Sequence, residues 1–270
     1  MNVPGAGGAR TGLVTADVTA DPVARQAEQD LTSSLTDLAG LLSSHRSLEP
    51  TLVRIAELTV AAIPGAEGAG LTLLEPSRAQ TVVATAPFVH EVDDVQYDLG
   101  EGPCLSAVGD GRTHTSGNLG GARDWPRFGP RAGRLGVHSA LSIPLLLGGE
   151  VLGALNVYAR ARDAFTPRAR QLGEAFSGPA AVSVYNAQML AQAERLTGQL
   201  QAALESRAVI DQAMGVIMSR SGVTAPEAFD RLRAASQARS RKLSEVAGDL
   251  LESAVRQARA RSASPDHPAD

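Results

Sequence analysis

The chain holds a single cysteine, Cys104, in 270 residues. An intramolecular disulfide is therefore excluded, and the expected compartment is a reducing cytoplasm. Aromatic residues make up only 3% of the sequence against 43% for all hydrophobic residues. A core must then be built from Leu, Val, Ile and Ala. No run of about eighteen apolar residues is present, so no transmembrane helix is expected. Residues 1–20 are rich in Gly, Ala and Thr and lack the apolar stretch of a secretory signal. The signatures of common enzymes are missing too. There is no Gly-x-Ser-x-Gly elbow, no Walker loop and no Gly-x-Gly-x-x-Gly turn. His45, His90, His114, His138 and His267 are dispersed, and one cysteine does not complete a zinc site with them. The expectation is a protein that is not an enzyme and has no metal site. No cofactor is specified.

The length suits about two domains. The net charge of −4 argues against indiscriminate nucleic-acid binding by the chain as a whole. The charge is uneven, however. From Leu200 to Ser262 ten Arg and Lys face seven Asp and Glu, a balance of +3, which leaves −7 for the rest. An acidic front and a mildly basic tail fit a sensor joined to a nucleic-acid reader; a solvated helical face with scattered charge fits as well.

Periodicity divides the chain further. Gln26 to Ser44 reads as a helix with a stripe of Leu31, Leu35, Leu38, Leu41 and Leu42. A second helix follows Pro50. Gly70–Leu74 and Gln80–Thr85 have the branched composition of strands. Pro103 to Val108 reads as one short helix. His138–Leu147 and Glu150–Tyr158, joined by Gly148-Gly149, read as a β-hairpin. Thr166-Pro167 then opens a long helix. From Met189 a heptad can be laid down, with Met189, Leu196, Ala203 and Ile210 at one core position and Ala193, Leu200, Arg207 and Met214 at the other. Two readings follow: a parallel homodimer joined through this helix and the Leu31–Leu42 stripe, or one helix packed on its own first domain.

The last part reads as three short helices. Ile210, Ala213, Met214 and Ile217 have helical spacing, and Ser221-Gly222 stops them. Thr224 and Glu227 form a capping-box pattern, with Pro226 in the first turn. Phe229, Leu232 and Ala235 make a narrow apolar face, with Phe229 expected in the core. Leu243, Val246, Ala247 and Leu250 line the third helix. Arg239, Arg241 and Lys242 sit between the last two.

The elements Ser206-Arg207-x-x-Ile210-Asp211-Gln212-Ala213-x-Gly215, Ala228-Phe229-x-x-Leu232-Arg233 and Lys242-Leu243-x-x-Val246-Ala247 resemble, in order and spacing, the ANTAR domain of bacterial antiterminators. The resemblance covers about a quarter of the chain. Met214 and Ser240 depart from the Lys and Asn that many members carry. The resemblance implies RNA binding, to paired hairpins overlapping a terminator. The candidate RNA contacts are Arg207, Gln212, Arg239, Arg241 and Lys242, because guanidinium and ammonium groups meet phosphate and stack on looped-out bases.

Upstream, Leu99-Gly100-Glu101-Gly102-Pro103-Cys104-Leu105, Asp124-Trp125-Pro126-Arg127-Phe128, Leu135–Leu145 and Gly153–Tyr158 are similar to a GAF domain, in a form typical of GAF domains joined to ANTAR domains. The implied fold is α+β: an antiparallel sheet flanked by helices, then a long helix and a small all-α three-helix domain. The expected partition is a disordered lead-in at 1–25, the sensor at 26–190, a coiled-coil linker at 191–204, the RNA-binding domain at 205–261 and a frayed tail at 262–270. The resemblance implies a pocket for a small-molecule ligand, with Tyr97, Cys104, Trp125, His138 and Asn156 as candidate lining. Cys104 reads two ways. At a helix start the dipole lowers a thiol pKa, which suits a redox or ligand sensor; as a small buried apolar residue it is inert. Trp125 is either a pocket wall or a packing anchor. A sensor whose helical tail binds a protein partner, and a helix-turn-helix DNA binder, remain as alternatives to the RNA reading.

Overall fold

The computed structural model describes residues 22–43, 47–75 and 78–263. Residues 1–21 and 264–270, expected as lead-in and tail, lie outside them. The chain divides into two compact units, residues 1–190 and 191–270.

The first unit begins with α1 (Pro22–Ser43), which starts four residues before its expected position, and α2 (Leu48–Ala62). Strands β1 (Gly68–Glu75) and β2 (Arg78–Ala84) follow, then α3 (Pro87–Leu99), α4 (Pro103–Asp110), β3 (His114–Ser116) and α5 (Phe128–Arg134). The hairpin β4 (Ser139–Leu147) and β5 (Glu150–Ala159) closes the sheet. Every strand pair is antiparallel, in the order β2-β1-β5-β4-β3. The hairpin turns on Gly148 and Gly149, both at positive φ, which the Gly-Gly pair makes cheap.

Alternation along the strands sorts two faces. Leu71, Leu73, Val83, Leu141, Ile143, Leu145, Leu155 and Val157 point one way. With Leu52, Ile55, Ile63, Phe176 and Val184 they form the main core. Leu38 is buried in it, and Leu31, Leu35 and Leu41 pack against it. The α1 stripe thus has packing within its own chain, where α1 lies against α2. Phe176 and Val184 come from α6 (Pro167–Ser221), opened by Thr166, whose Oγ1 accepts the Ala169 N–H at 3.2 Å.

The opposite face carries Thr72, Ser142, Asn156 and Tyr158, all buried, beneath α3 and α4. Beside them Val89, Val92, Leu119, Trp125, Phe128, Ala132, Val137 and Ala140 make a second, smaller core with Tyr158. Helix α3 lies close to β1 because of two glycines. A Cβ at Gly68 would stand 2.7 Å from Phe88 and Val89, and one at Gly70 would stand 2.8 Å from Asp93 Oδ2.

In the second unit the end of α6, α7 (Ala225–Arg239) and α8 (Leu243–Ala263) meet around Ala213, Leu232 and Ala247. Val209, Ile210, Met214, Ile217, Leu243, Leu250 and Leu251 pack about these three. The capping box forms: the Thr224 N–H and hydroxyl both donate to Glu227 Oε2 at 2.8 Å. Those bonds hold the Glu227 carboxyl below its ordinary pKa. Gly222, at φ 64°, ends α6. Phe229 is corrected. It is 37% exposed, and the adjacent Ala228 fills the core position instead.

Candidate functional site

In the first unit, α3 presents Val89, Val92, Asp93 and Gln96 at i, i+3, i+4 and i+7, and all four are buried. Two valines anchor the helix, and two polar side chains are forced inward on the same stripe. Asp93 is the centre of what results. Its Oδ2 accepts the Thr81 hydroxyl at 2.6 Å. Its Oδ1 accepts the Gln96 amide at 2.9 Å, the Asn156 amide at 3.3 Å and the Tyr158 hydroxyl. Among the described residues no Lys, Arg or His pairs with it. Burial raises the Asp93 pKa from 3.8 to about 6, against the pull of its four donors.

The hydroxyls continue outward. Thr81 Oγ1 lies 2.6 Å from Tyr97 Oη, which lies 2.8 Å from Thr72 Oγ1. Thr72 accepts the Asn156 amide at 2.9 Å and the Cys104 thiol at 3.4 Å. Ser142 donates to Asn156 Oδ1 at 3.0 Å. Tyr97 and Tyr158 hydroxyls are both pushed upward in pKa, first by burial and then by the Asp93 charge.

The Leu99–Leu105 motif is a joint between three helices. Gly100, at φ 63°, ends α3 in the left-handed region. Glu101 Oε1 accepts the backbone N–H groups of Arg127 at 2.7 Å and Phe128 at 2.9 Å, which supplies the start of α5. Those bonds hold its carboxyl below the usual range. At Gly102 a Cβ would stand 2.2 Å from Gln96 Oε1, so only glycine lets that amide through. Gln96 Oε1 then accepts the Cys104 N–H at 2.9 Å, an orphan donor at the start of α4. One glutamine therefore caps α4 while its amide nitrogen serves Asp93 and Tyr158.

The structure brings three of the five expected pocket residues together: Tyr97, Cys104 and Asn156 bond to one another's partners in this network. Trp125 and His138 stand apart. Trp125 is 4% exposed, donates Nε1–H to Ser106 Oγ at 3.0 Å and meets His114 edge to face. It anchors the α4–α5 loop. His138 precedes β4, and its Nδ1 is buried with no hydrogen-bond partner among the described residues. Of the two readings of Cys104, its surroundings match the buried, inert one. The side chain is fully buried, and desolvation, then the Asp93 charge, lifts its pKa to about 12, which outweighs the helix start. Sequence reasoning does not reach Asp93, Gln96, Thr72, Thr81 and Tyr158; the signal that could have found them is two polar residues at core positions of an i, i+3, i+4, i+7 stripe. A surface groove of about 580 Å³ lies elsewhere, between the β3 edge and α6, lined among others by Asp110, His114, Arg170 and Glu174 and by none of the five.

In the second unit Arg239, Arg241 and Lys242 gather at the turn between α7 and α8. Ser240 turns the chain at φ 49°, and the Ser236 hydroxyl holds the Arg241 carbonyl. Arg239 and Lys242 are exposed. Arg241 is engaged: it bridges Glu245 at 3.3 Å and Asp249, across the first turns of α8. Arg207 and Gln212 are exposed on α6; Arg207 is 82% exposed and stands 3.8 Å from Asp211.

The described architecture is an antiparallel sheet between two helical layers in the first unit and a three-helix module with a basic corner in the second. A family model for the GAF domain matches residues 45–184, and one for the ANTAR domain matches residues 198–251. The chain belongs to the GAF domain family and has the GAF–ANTAR architecture. No individually curated protein sequence matches it. Solved structures similar to the first unit include the GAF domain of a phosphoenolpyruvate-protein phosphotransferase from Coxiella burnetii, at 16% identity and TM-score 0.47 over 60% of this chain and 96% of that one. A free methionine-R-sulfoxide reductase from Neisseria meningitidis, in complex with its substrate, matches at 16% identity and TM-score 0.45, over 63% and 95%. Among the described residues no helix is long and apolar enough to cross a membrane.

Proposed function

We propose that the protein is a cytoplasmic transcription antitermination regulator: its ANTAR domain binds paired RNA hairpins overlapping a terminator, and its GAF domain controls that binding. The observation that carries the reading is an ANTAR module that exposes the basic pair Arg239 and Lys242 at the α7–α8 turn. Arg241 acts differently. With two carboxylates on it, it orients the turn and contributes less free charge to phosphate. Phe229, one-third exposed on α7 and one turn from Arg233, offers a face for stacking a looped-out base. Arg207 and Gln212 extend the surface along α6.

A homodimer would deliver two such modules to two loops, and bivalence raises avidity without new interactions. Its support is the unpaired face of α6: Met189, Leu196, Leu200 and Leu204 are 41%, 56%, 58% and 69% exposed. Partition of the chain into a sensor at 26–190, a linker at 191–204 and a reader at 205–261 follows from this reading. A small-molecule ligand of the sensor would have to displace hydrogen bonds that Tyr97, Cys104 and Asn156 now make to one another's partners.

Filter binding of full-length protein to a two-hairpin RNA, titrated with salt, tests the proposal. The expected result is preference for hairpins over mixed-sequence RNA. Arg239→Ala with Lys242→Ala should weaken binding by about 1–3 kcal/mol and flatten the salt slope by roughly one for each phosphate no longer neutralised. Equal affinity for mixed-sequence RNA would refute the reading and favour a protein partner for the tail.

A further inference from the structure

A proton needs no cavity, and the core of the first unit holds one group built to take it. We propose that Asp93 is a buried proton-binding site, through which the GAF domain reads pH by rearranging the hydrogen bonds that join α3 to α4 and the sheet.

The geometry carries this. Asp93 is 0% exposed and meets donors only: the Thr81 hydroxyl on Oδ2, and the Gln96 amide, the Asn156 amide and the Tyr158 hydroxyl on Oδ1. The titratable groups facing it are Tyr97 from α3 itself, Cys104 from α4 and Tyr158 from β5. β1 and β2 contribute Thr72 and Thr81, which carry no charge. All four titratable groups are acids, so nothing here fixes a negative charge by pairing. The ionised form rests on four neutral dipoles alone, and a buried charge held that way is poised to neutralise.

Protonation forces a rearrangement. The new O–H needs an acceptor. The amide nitrogens of Gln96 and Asn156 are donors, and that of Gln96 is held in place because its Oε1 takes the Cys104 N–H, which can only donate. The two hydroxyls can switch from donor to acceptor with no side-chain amide turning over. Thr81 has the ready route: its proton turns to Tyr97 Oη at 2.6 Å, and that of Tyr97 to Thr72 Oγ1 at 2.8 Å. The chain Asp93–Thr81–Tyr97–Thr72 thus links the carboxyl to three hydroxyls in succession. At the other end Gln96 bonds both to the carboxylate and to the first turn of α4, so the charge state of Asp93 reaches the helix joint directly.

The test is infrared difference spectroscopy of the full-length protein as pH falls from about 8 to about 5. The wild type should gain a protonated-carboxyl band with a midpoint near pH 6 that Asp93→Asn lacks. Tyr158→Phe and Thr81→Ala each remove a donor to the carboxylate, so each should move the midpoint upward by about half a unit or more. These two decide the matter should Asp93→Asn fail to fold. A band that persists in Asp93→Asn, or midpoints unmoved or lowered in both other variants, overturns the site. The signalling half rests on the RNA reading and is read separately: hairpin affinity at about pH 5.5 and about pH 7.5 should differ by about threefold or more in the wild type and not in Asp93→Asn. Equal pH dependence in the two overturns that half. RNA binding at neither pH sinks the RNA reading and leaves the proton site standing.

Discussion

Replacing Asp93 by Asn should abolish a specific pH dependence of stability. The side chain has a folded pKa of about 6 against 3.8 for the ordinary carboxyl. The folded state therefore keeps its proton to higher pH than the unfolded chain. Between pH 3.8 and 6 the native protein binds more protons, so this group makes stability fall as pH rises, at about 1.4 kcal/mol per pH unit. Its contribution is complete below 3.8 and gone above 6, a swing of about 3 kcal/mol over the window. Glu67, Glu101, Asp110 and Glu174 run the other way. Their pKa values are lowered by backbone or side-chain hydrogen bonds, so each adds stability that is lost in acid. The raw pH profile mixes both signs, and the difference between wild type and Asp93→Asn isolates the one. Asn is nearly isosteric: its carbonyl can keep the three donors on Oδ1, and its amide can donate to Thr81, whose own proton then turns to Tyr97. Urea unfolding of both proteins at half-unit steps from about pH 4.5 to about pH 8, followed by Trp125 fluorescence, gives the difference curve. Wild type should lose about 2 kcal/mol relative to the variant across that range. A flat difference curve, or one of opposite slope, refutes the assignment of a raised pKa to this carboxyl.

Three further outcomes are expected. Changing Leu196 and Leu200 to Lys should convert a dimer to monomers in sedimentation velocity without unfolding the first unit, since both side chains are more than half exposed within their own chain; an unchanged dimer places the interface elsewhere. Gly102→Ala should destabilise by about 1–3 kcal/mol by calorimetry, because its Cβ would stand 2.2 Å from the Gln96 amide oxygen that caps α4; wild-type stability would show that the joint yields freely. Cys104 should resist alkylation in the native protein near neutral pH and react on unfolding, because burial and the Asp93 charge hold its thiol up at about 12; rapid native labelling would restore it as a sensing thiol.

The linear pattern by itself determined the elements whose signals are local. The Gly148-Gly149 hairpin, the Thr224–Glu227 capping box and the Thr166-Pro167 helix start each need only a few neighbouring residues, and each forms. The order of short motifs was enough for the two-domain architecture. What escaped was decided by residues distant in the chain. Helix α3 was not legible because half of its inward stripe is polar: Asp93 and Gln96 look like solvent positions until β2 and β5 bring Thr81, Asn156 and Tyr158 to them. Cys104 has the helix-start position of a reactive thiol, and only its burial against β1 shows that desolvation outweighs the dipole. The Leu31–Leu41 stripe reads in the sequence as one apolar face, and only the fold shows Leu38 buried in the main core with Leu31, Leu35 and Leu41 packed against it. Phe229 and Ala228 are adjacent on α7, and only the fold shows that Ala228, one turn before the core residue Leu232, is the buried one while Phe229 is exposed. Arg241 looks interchangeable with Arg239 and Lys242 in the sequence, yet the α8 backbone sets Glu245 and Asp249 within its reach, so among the described residues it is ion-paired where they are not. In each case local pattern specifies what a residue prefers, and the choice among preferences belongs to whichever group the fold places against it.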